Sequence, residues 1–431
     1  MSYPQNVDQR VGVLRDAPTI GVGRVFERPA ASRHFDGAAQ IADVAAWLMG
    51  PARRITGSLE LLDELAWRLV AAGIPLARMT FHLPTLHPQY SGIGGRWTRS
   101  SGRSEEMLVG HSVRYSAAFL DSPIRHVIET GEAVRRRLEG PDAQLDFPIL
   151  ADLKAEGITE YHVVALEMST GRRTAVTLAT DRAGGLRDEE IAALKTLGRH
   201  LAPLLEIHVT RQITSNVLGA YLGEQIGGRV LAGDILRGHG ETIRAVVWMC
   251  DLRGFTRLSD NLPGRQVIGI LNAYFERVVR EIHKRNGEVL KFMGDGLLAI
   301  FAVADAAFAS DATLRALDAA EAAIAAVDGM EVDPVLEGQP APRMCVAIHF
   351  GDVFFGNIGA TDRLDFTTIG PAVNLVARLD QLSKVLERRI LVTDDFNKFC
   401  PRRLQSVGSH VLRGLSEAHE IFTIPDERRE R

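Results

Sequence analysis

Apolar positions along the chain follow two rhythms, one recurring every three or four residues and one every second residue, and the switches between them divide the sequence. From Ser58 the run Leu59, Leu62, Leu65, Ala66, Leu69 and Val70 keeps helical spacing, with Ser58 read as the N-cap and Gly73 as the stop. A strand is predicted at 78–83. Two more, at 161–168 and 173–180, flank Ser169-Thr170-Gly171 and read as a hairpin. Helical spacing returns from Asp188 to about Val209, where Ile191, Leu194, Leu197, Leu201, Leu204 and Leu205 share a face. These elements predict an α+β domain over 45–210, preceded by an irregular tail at 1–38 that mixes Pro, Gly, Arg and Asp without a period.

Residues 211–241 carry Gly219, Gly223, Gly227, Gly228, Gly233, Gly238 and Gly240, a composition that predicts broken structure and a connector between two halves. From Thr242 the pattern becomes strand (244–250), helix (265–285), strand (289–293), strand (297–301), an Ala-rich helix (311–327), strands at 343–350 and 353–357 about a Gly351-Asp352 turn, and a helix from Pro371 to Leu386. The order βαββαβ over 242–425 predicts a second α+β domain with antiparallel strands.

Charge adds little direction: 50 Lys and Arg face 54 Asp and Glu, and no long block of one sign occurs, which argues against nucleic-acid and polybasic membrane partners. Cys250, Cys345 and Cys400 stand too far apart for a disulfide framework or a CxxC metal site, as expected of a reducing cytoplasm. No run approaches the roughly 18 to 20 apolar residues of a spanning helix, and the N-terminus lacks the apolar core of a signal peptide; a soluble cytoplasmic protein is expected. His82, His87, His111, His126 and His162 fall in the first half, but the spacing of His82 and His87 fits neither a strand face nor a helical turn, so they read as structural or surface residues.

Two carboxylates carry the chemistry. Asp251 ends the first strand of the second half, and Asp295 lies in the Gly294-Asp295-Gly296 turn between two apolar strands. If those strands are neighbours, the pair offers hard oxygen ligands to divalent cations that also hold phosphate oxygens. The Leu252-Arg253-Gly254-Phe255-Thr256 loop opens a helix, where backbone N–H groups can face a triphosphate. Asn374 and Arg378, four apart, share one helix face. Each has an ordinary alternative: Asp295 as a turn residue beside glycine, and Asn374 with Arg378 as a solvated face.

Taken in order, DLRGFT at 251–256, LKFMGDG at 290–296, AIHFGDVFFGNIG at 347–359 and DFTTIGPAVNLVARL at 365–379 resemble the class III adenylate/guanylate cyclase catalytic domain. The resemblance implies a ferredoxin-like, palm-type fold and two Mg²⁺ or Mn²⁺ ions per active site, held by Asp251 and Asp295 with Leu252 beside them. It implies that Phe255 and Thr256 line the triphosphate, that Lys291 and Thr367 read the base, that Asn374 orients the ribose and Arg378 meets the α-phosphate, and that Arg413 is a candidate for the triphosphate end. Lys291 stands where guanine-selective relatives carry glutamate, which favours ATP, because an ammonium donates to adenine N1. Thr367 stands where many relatives have aspartate, and Pro371 where Asp or Asn is commoner. In this family each site is shared between two catalytic domains; one chain bearing all six of Asp251, Asp295, Lys291, Thr367, Asn374 and Arg378 is expected to work as a homodimer. The first half resembles a GAF-type sensor and is expected to take a small-molecule effector. Adenylate cyclase is the expected activity, with a guanylate cyclase or a non-catalytic nucleotide-binding scaffold as alternatives.

Overall fold

The computed structural model describes residues 20–28, 40–332, 334–336, 342–413 and 417–425, and the chain divides into two compact units at 217/218. Most of the predicted tail lies outside the described residues.

The first unit is a seven-stranded antiparallel sheet with helices on both faces. Its strands are β1 (Ile20–Glu27), β2 (Leu76–Pro84), β3 (Tyr90–Thr98), β4 (Arg103–Gly110), β5 (Val134–Arg137), β6 (Glu160–Glu167) and β7 (Arg173–Thr180), in the order β1-β4-β3-β2-β7-β6-β5. The helices are α1 (Ile41–Met49), α2 (Ser58–Ala71), α3 (Ala117–Leu120), α4 (Pro123–Thr130), α5 (Pro148–Ala155) and α6 (Asp188–Leu222). Two cores result from the period-2 alternation of the strands. Phe81, Trp97, Val176 and Leu178 pack with α1, α2 and α6, whereas Tyr161, Val163 and Ala175 face α4 and α5.

Three local expectations are corrected here. Ser58 is the first helical residue of α2, and Gly57 holds the cap position without a side-chain bond. Ile20–Glu27, inside the predicted irregular tail, is an edge strand paired with β4, where Arg24 reaches Glu106 at 2.9 Å. Helix α6 does not stop near Val209 but continues to Leu222, passing Pro203 inside it.

The glycine-rich connector is also largely helical, since α7 (Glu224–Leu231) follows α6 after one break at Gly223, whose φ is +86°. A Cβ at Gly227 would lie 3.1–3.2 Å from backbone atoms of Leu218 and Gly219, so this glycine permits the close approach of two helical segments.

The second unit continues with β8 (Gly240–Arg253), α8 (Phe255–Asn261), α9 (Gly264–His283), β9 (Glu288–Met293), β10 (Gly296–Val303), α10 (Ala309–Asp328), β11 (Arg343–Gly359), β12 (Leu364–Ile369), α11 (Pro371–Leu386), β13 (Ile390–Thr393), α12 (Asp394–Asn397), β14 (Gln405–Val411) and β15 (Ala418–Thr423). The sheet order is β14-β15-β13-β11-β8-β10-β9, with β12 paired to β11. The four strands at one end run β11-β8-β10-β9, all antiparallel, which is the ferredoxin-like order for a βαββαβ chain.

Both sheet faces are covered, so β8 reads apolar without a break from Ala245 to Cys250: Val246, Trp248 and Cys250 face α9 and α10, whereas Ala245 and Val247 face α11 and α7. The predicted turn at Gly351-Asp352 is absent, and β11 runs straight through it with Asp352 ion-paired to Arg244 on β8 at 3.1 Å. Gly351 serves packing instead, since a Cβ there would stand 2.8 Å from His349 Nε2 and 3.1 Å from Ala372 on α11.

Candidate active site

Strands β8 and β10 are direct neighbours, with Cys250 opposite Leu297, so the end of β8 and the β9–β10 turn bring Asp251 and Asp295 together. Burial and the neighbouring Asp251 push the Asp295 carboxyl up to about 6, the signature of two like charges sharing one place. Gly294 takes φ +66° in this turn. Gly296 admits no side chain, because a Cβ there would lie 2.4 Å from the Cys250 carbonyl oxygen.

Two residues the sequence reading did not single out join the pair. Lys384 Nζ donates to Asp251 Oδ2 at 2.8 Å and lies 4.0 Å from Asp380, one turn earlier on α11. Burial, then the Asp251 charge, raise the Asp380 carboxyl, and its Oδ1 is enclosed with no hydrogen-bond partner among the described residues. Their only signal in the sequence is an i,i+4 acid–base pair on the helix of Asn374 and Arg378, which an ordinary solvated face shares.

Asp251 and Asp295 supply converging anionic oxygens, and the raised Asp295 carboxyl marks negative charge that a cation would relieve. Two carboxylates leave most positions of a hard divalent ion to phosphate oxygens and water, and among the described residues no group of three or more His, Cys, Asp or Glu could hold a metal. The Leu252 side chain is a buried hydrocarbon with no donor atom, so only its backbone carbonyl could serve as a ligand. Gly254 is left-handed at φ +74° and α8 begins directly after it, with Thr256 exposed and Phe255 packed against the core.

A second cluster forms elsewhere in the unit. Lys291 on β9 is ion-paired with Asp365 at 3.6 Å. Asp365 and Thr367 point to the same face of β12, and the Thr367 hydroxyl is buried without a partner among the described residues. Phe366 packs with Leu290 and Ile300, so the β11–β12 arm lies back across the sheet. From β12 the chain passes Gly370 (φ +143°) and Pro371, the first residue of α11, on which Asn374 is exposed and the Arg378 Nη1 is enclosed without a partner among the described residues.

On β11 Asp251 is opposite Cys345 and Thr367 opposite Gly356, whereas Lys291 stands four residues before Asp295, across the β9–β10 turn. Among the described bonds none joins Lys291, Thr367, Asn374 or Arg378 to either carboxylate. Arg413 is exposed beyond β14 and joins neither cluster.

Helix α7 is fastened to the back of this arm. The Arg229 guanidinium lies 5.4 Å from the Phe355 ring and 5.0 Å from the Phe366 ring, and it donates to Asp234 at 2.7 Å and Glu241 at 2.9 Å.

Residues 241–423 match the family model described as the adenylate and guanylate cyclase catalytic domain. This segment is a class III nucleotide cyclase catalytic domain. An uncharacterized protein of Mycobacterium tuberculosis is 32% identical over 185 residues, which is 43% of this chain and 32% of that protein. An adenylate cyclase of Anabaena cylindrica is 29% identical over 195 residues, 43% of this chain and 38% of that protein. The chain thus spans about a third of the length of these curated relatives. Among solved structures, the adenylyl cyclase CyaB from P. aeruginosa is 25% identical and covers 45% of this chain and 99% of that one, with a TM-score of 0.41. The guanylyl cyclase Cya2 is 26% identical and covers 42% and 92%, with a TM-score of 0.38.

In the cyclase domain Asp251 and Asp295 stand at one end of β8 and β10, while Lys291 and Thr367 stand with the β11–β12 arm. No described helix is long and apolar enough to cross a membrane.

Proposed function

We propose that this chain is an adenylate cyclase, converting ATP to 3′,5′-cyclic AMP and pyrophosphate in a homodimer. The observation that carries the reading is the convergence of Asp251 and Asp295 at the ends of adjacent strands. Two divalent ions, Mg²⁺ or Mn²⁺, would be held by these carboxylates and the backbone at Leu252, supplying acidity at the ribose 3′ hydroxyl and neutralising phosphate charge. The 3′ hydroxyl gives up its proton to water as its oxygen forms a bond to the α-phosphorus, the bond from that phosphorus to the bridging oxygen breaks, and pyrophosphate leaves with the electron pair.

The chain's own groups set the rest. Lys291 donates to adenine N1 and Thr367 accepts from the exocyclic amine, for which its enclosed, unpartnered hydroxyl is suited. Asn374 orients the ribose. The enclosed Nη1 of Arg378 awaits an acceptor, and an α-phosphate oxygen has the matching charge and geometry. The backbone at Phe255 and Thr256 receives the triphosphate, with Arg413 reaching its far end.

No described bond joins Lys291, Thr367, Asn374 or Arg378 to either carboxylate within one chain, which supports a dimer in which each site draws one set from each copy. The first unit acts as a GAF-like sensor whose small-molecule effector alters cyclase output; its antiparallel sheet with helices on both faces supports this.

The test is product formation by the purified full chain with ATP or GTP, in Mg²⁺ or Mn²⁺, beside Asp295→Ala. Cyclic AMP that disappears in the variant is expected. Cyclic GMP would overturn the role given to Lys291, and no product from either nucleotide would favour a binding scaffold.

A further inference from the structure

The first unit holds a half-open cavity of about 630 Å³, within the range of roughly 300–1,000 Å³ of sites that take small organic molecules. Its floor is the sheet face made by β2, β3 and β4, and the registers explain why it is hollow. Two cross-strand rows lie there, His82–Gly94–Met107 and Pro84–Gly92–Val109, and the central strand contributes glycine to both. Gly92 leaves the middle of its row without a side chain, whereas the space over Gly94 is taken up by Met107, whose Cε would lie 2.7 Å from a Cβ there. The roof is set by Phe119 on α3 and by Ile124 and Ile128 on α4. Helix α4 is anchored beside the gap, since Val127 is fully buried with Val163 and Ala175.

The walls are mostly apolar, with Thr85, Ser91 and Ser122 among them, and the charged residues are of one sign. Arg114, Arg172 and Arg173 line the cavity, and no Asp or Glu does among the described residues. Arg173 gives one N–H to the Glu129 carbonyl at 3.3 Å, and a guanidinium carries five. His82 adds no compensating negative charge; burial, then Arg78, hold it neutral with its pKa lowered to about 4.

We propose that this cavity binds an organic anion with an apolar body of aromatic-ring size. The body rests on the glycine floor beneath α4, and the acid group meets Arg114, Arg172 and Arg173. Arginine suits that end because its planar fork matches carboxylate, sulfonate and phosphate oxygens alike. The inference deepens the effector part of the reading above by naming the ligand's chemistry and its place.

The experiment compares two fluorescent probes on the full chain: 1-anilinonaphthalene-8-sulfonate, and N-phenyl-1-naphthylamine, which keeps the rings and lacks the acid. Saturable binding of one sulfonate probe per chain, tighter than the neutral one, is expected. The double variant Arg114→Gln/Arg172→Gln should weaken the sulfonate probe at least about tenfold and the neutral probe less than about twofold. Val109→Trp, which fills the floor, should weaken both at least about tenfold, with circular dichroism unchanged. Equal loss of both probes in the arginine variant, indifference of both to Val109→Trp, or no stoichiometric sulfonate binding would each overturn the proposal. Binding is read without turnover. A chain that makes cyclic AMP but fails this test refutes the cavity site alone, and one that binds the probe but makes no product refutes the cyclase reading alone.

Discussion

Arg229 joins the segment that precedes the cyclase domain to the arm carrying Thr367, and its contribution can be worked from its contacts. Its guanidinium lies 5.0 Å from the Phe366 ring and 5.4 Å from Phe355, contacts that contribute about 0.5–2 kcal/mol together. Its ion pairs to Asp234 and Glu241 are each partly open to water and add about 0.2–1 kcal/mol apiece. Replacing Arg229 with alanine should therefore weaken the docking of α7 by about 2 kcal/mol, or about thirtyfold in the local opening equilibrium. Hydrogen exchange followed by mass spectrometry on the full chain reads this directly: amides of 224–239 should exchange about thirtyfold faster, while those of β10 stay unchanged. Arg229→Lys keeps a charge but loses the flat stacking surface, and should fall between the two. A change of less than about threefold in the alanine variant would refute the reasoning, leaving the burial of Ile226 to hold α7 by itself.

Three further outcomes are expected. Burial holds His349 neutral in the folded chain, its pKa lowered from 6.5 to about 4 against the pull of nearby Asp395, so its contribution is complete above pH 6.5 and is lost as pH falls toward 4. Between pH 7 and pH 5 the loss is about 2 kcal/mol, visible as a smaller pH-dependent fall in unfolding midpoint for His349→Gln than for the natural chain. Gly296→Ala sets a Cβ against the Cys250 carbonyl and shifts the turn bearing Asp295; cyclase turnover should fall by about 10- to 100-fold with circular dichroism preserved. Gly95→Val would bring its Cβ within 2.6 Å of Phe81 Cζ and 2.9 Å of Leu62 Cδ2, and should lower the unfolding midpoint of the first unit through about 1–3 kcal/mol of overpacking.

What could be read from sequence was whatever a one-dimensional period encodes. The α9 stripe Val267, Ile270, Tyr274, Val278 and Ile282 is buried as its spacing demands, and α11 begins and ends where Pro371 and Leu386 place it. Glycine misled wherever its purpose was contact with something remote in sequence. Gly351 reads as a turn residue but makes room for α11, and Gly227 reads as a breaker but lets two helical segments touch. Edge strand β1 was missed because a lone strand with one paired edge and exposed side chains carries no alternation. At the site, Asp251 and Asp295 were legible because strand ends and glycine turns are local features. Lys384 and Asp380 were not, since their meaning comes only from α11 crossing the end of β8.

The division of Asp295 and Arg378 between a strand turn and helix α11 also bears on mixed populations. In the proposed dimer, a copy spoiled at Asp295 and a copy spoiled at Arg378 are each silent when paired with themselves. Paired with one another, they concentrate both faults in one site and leave the other whole. Random mixing makes half of all dimers hybrids, each with one of two sites intact, so about a quarter of the original output returns. Two broken alleles would then rescue each other, and a cell carrying both would signal where neither parent could.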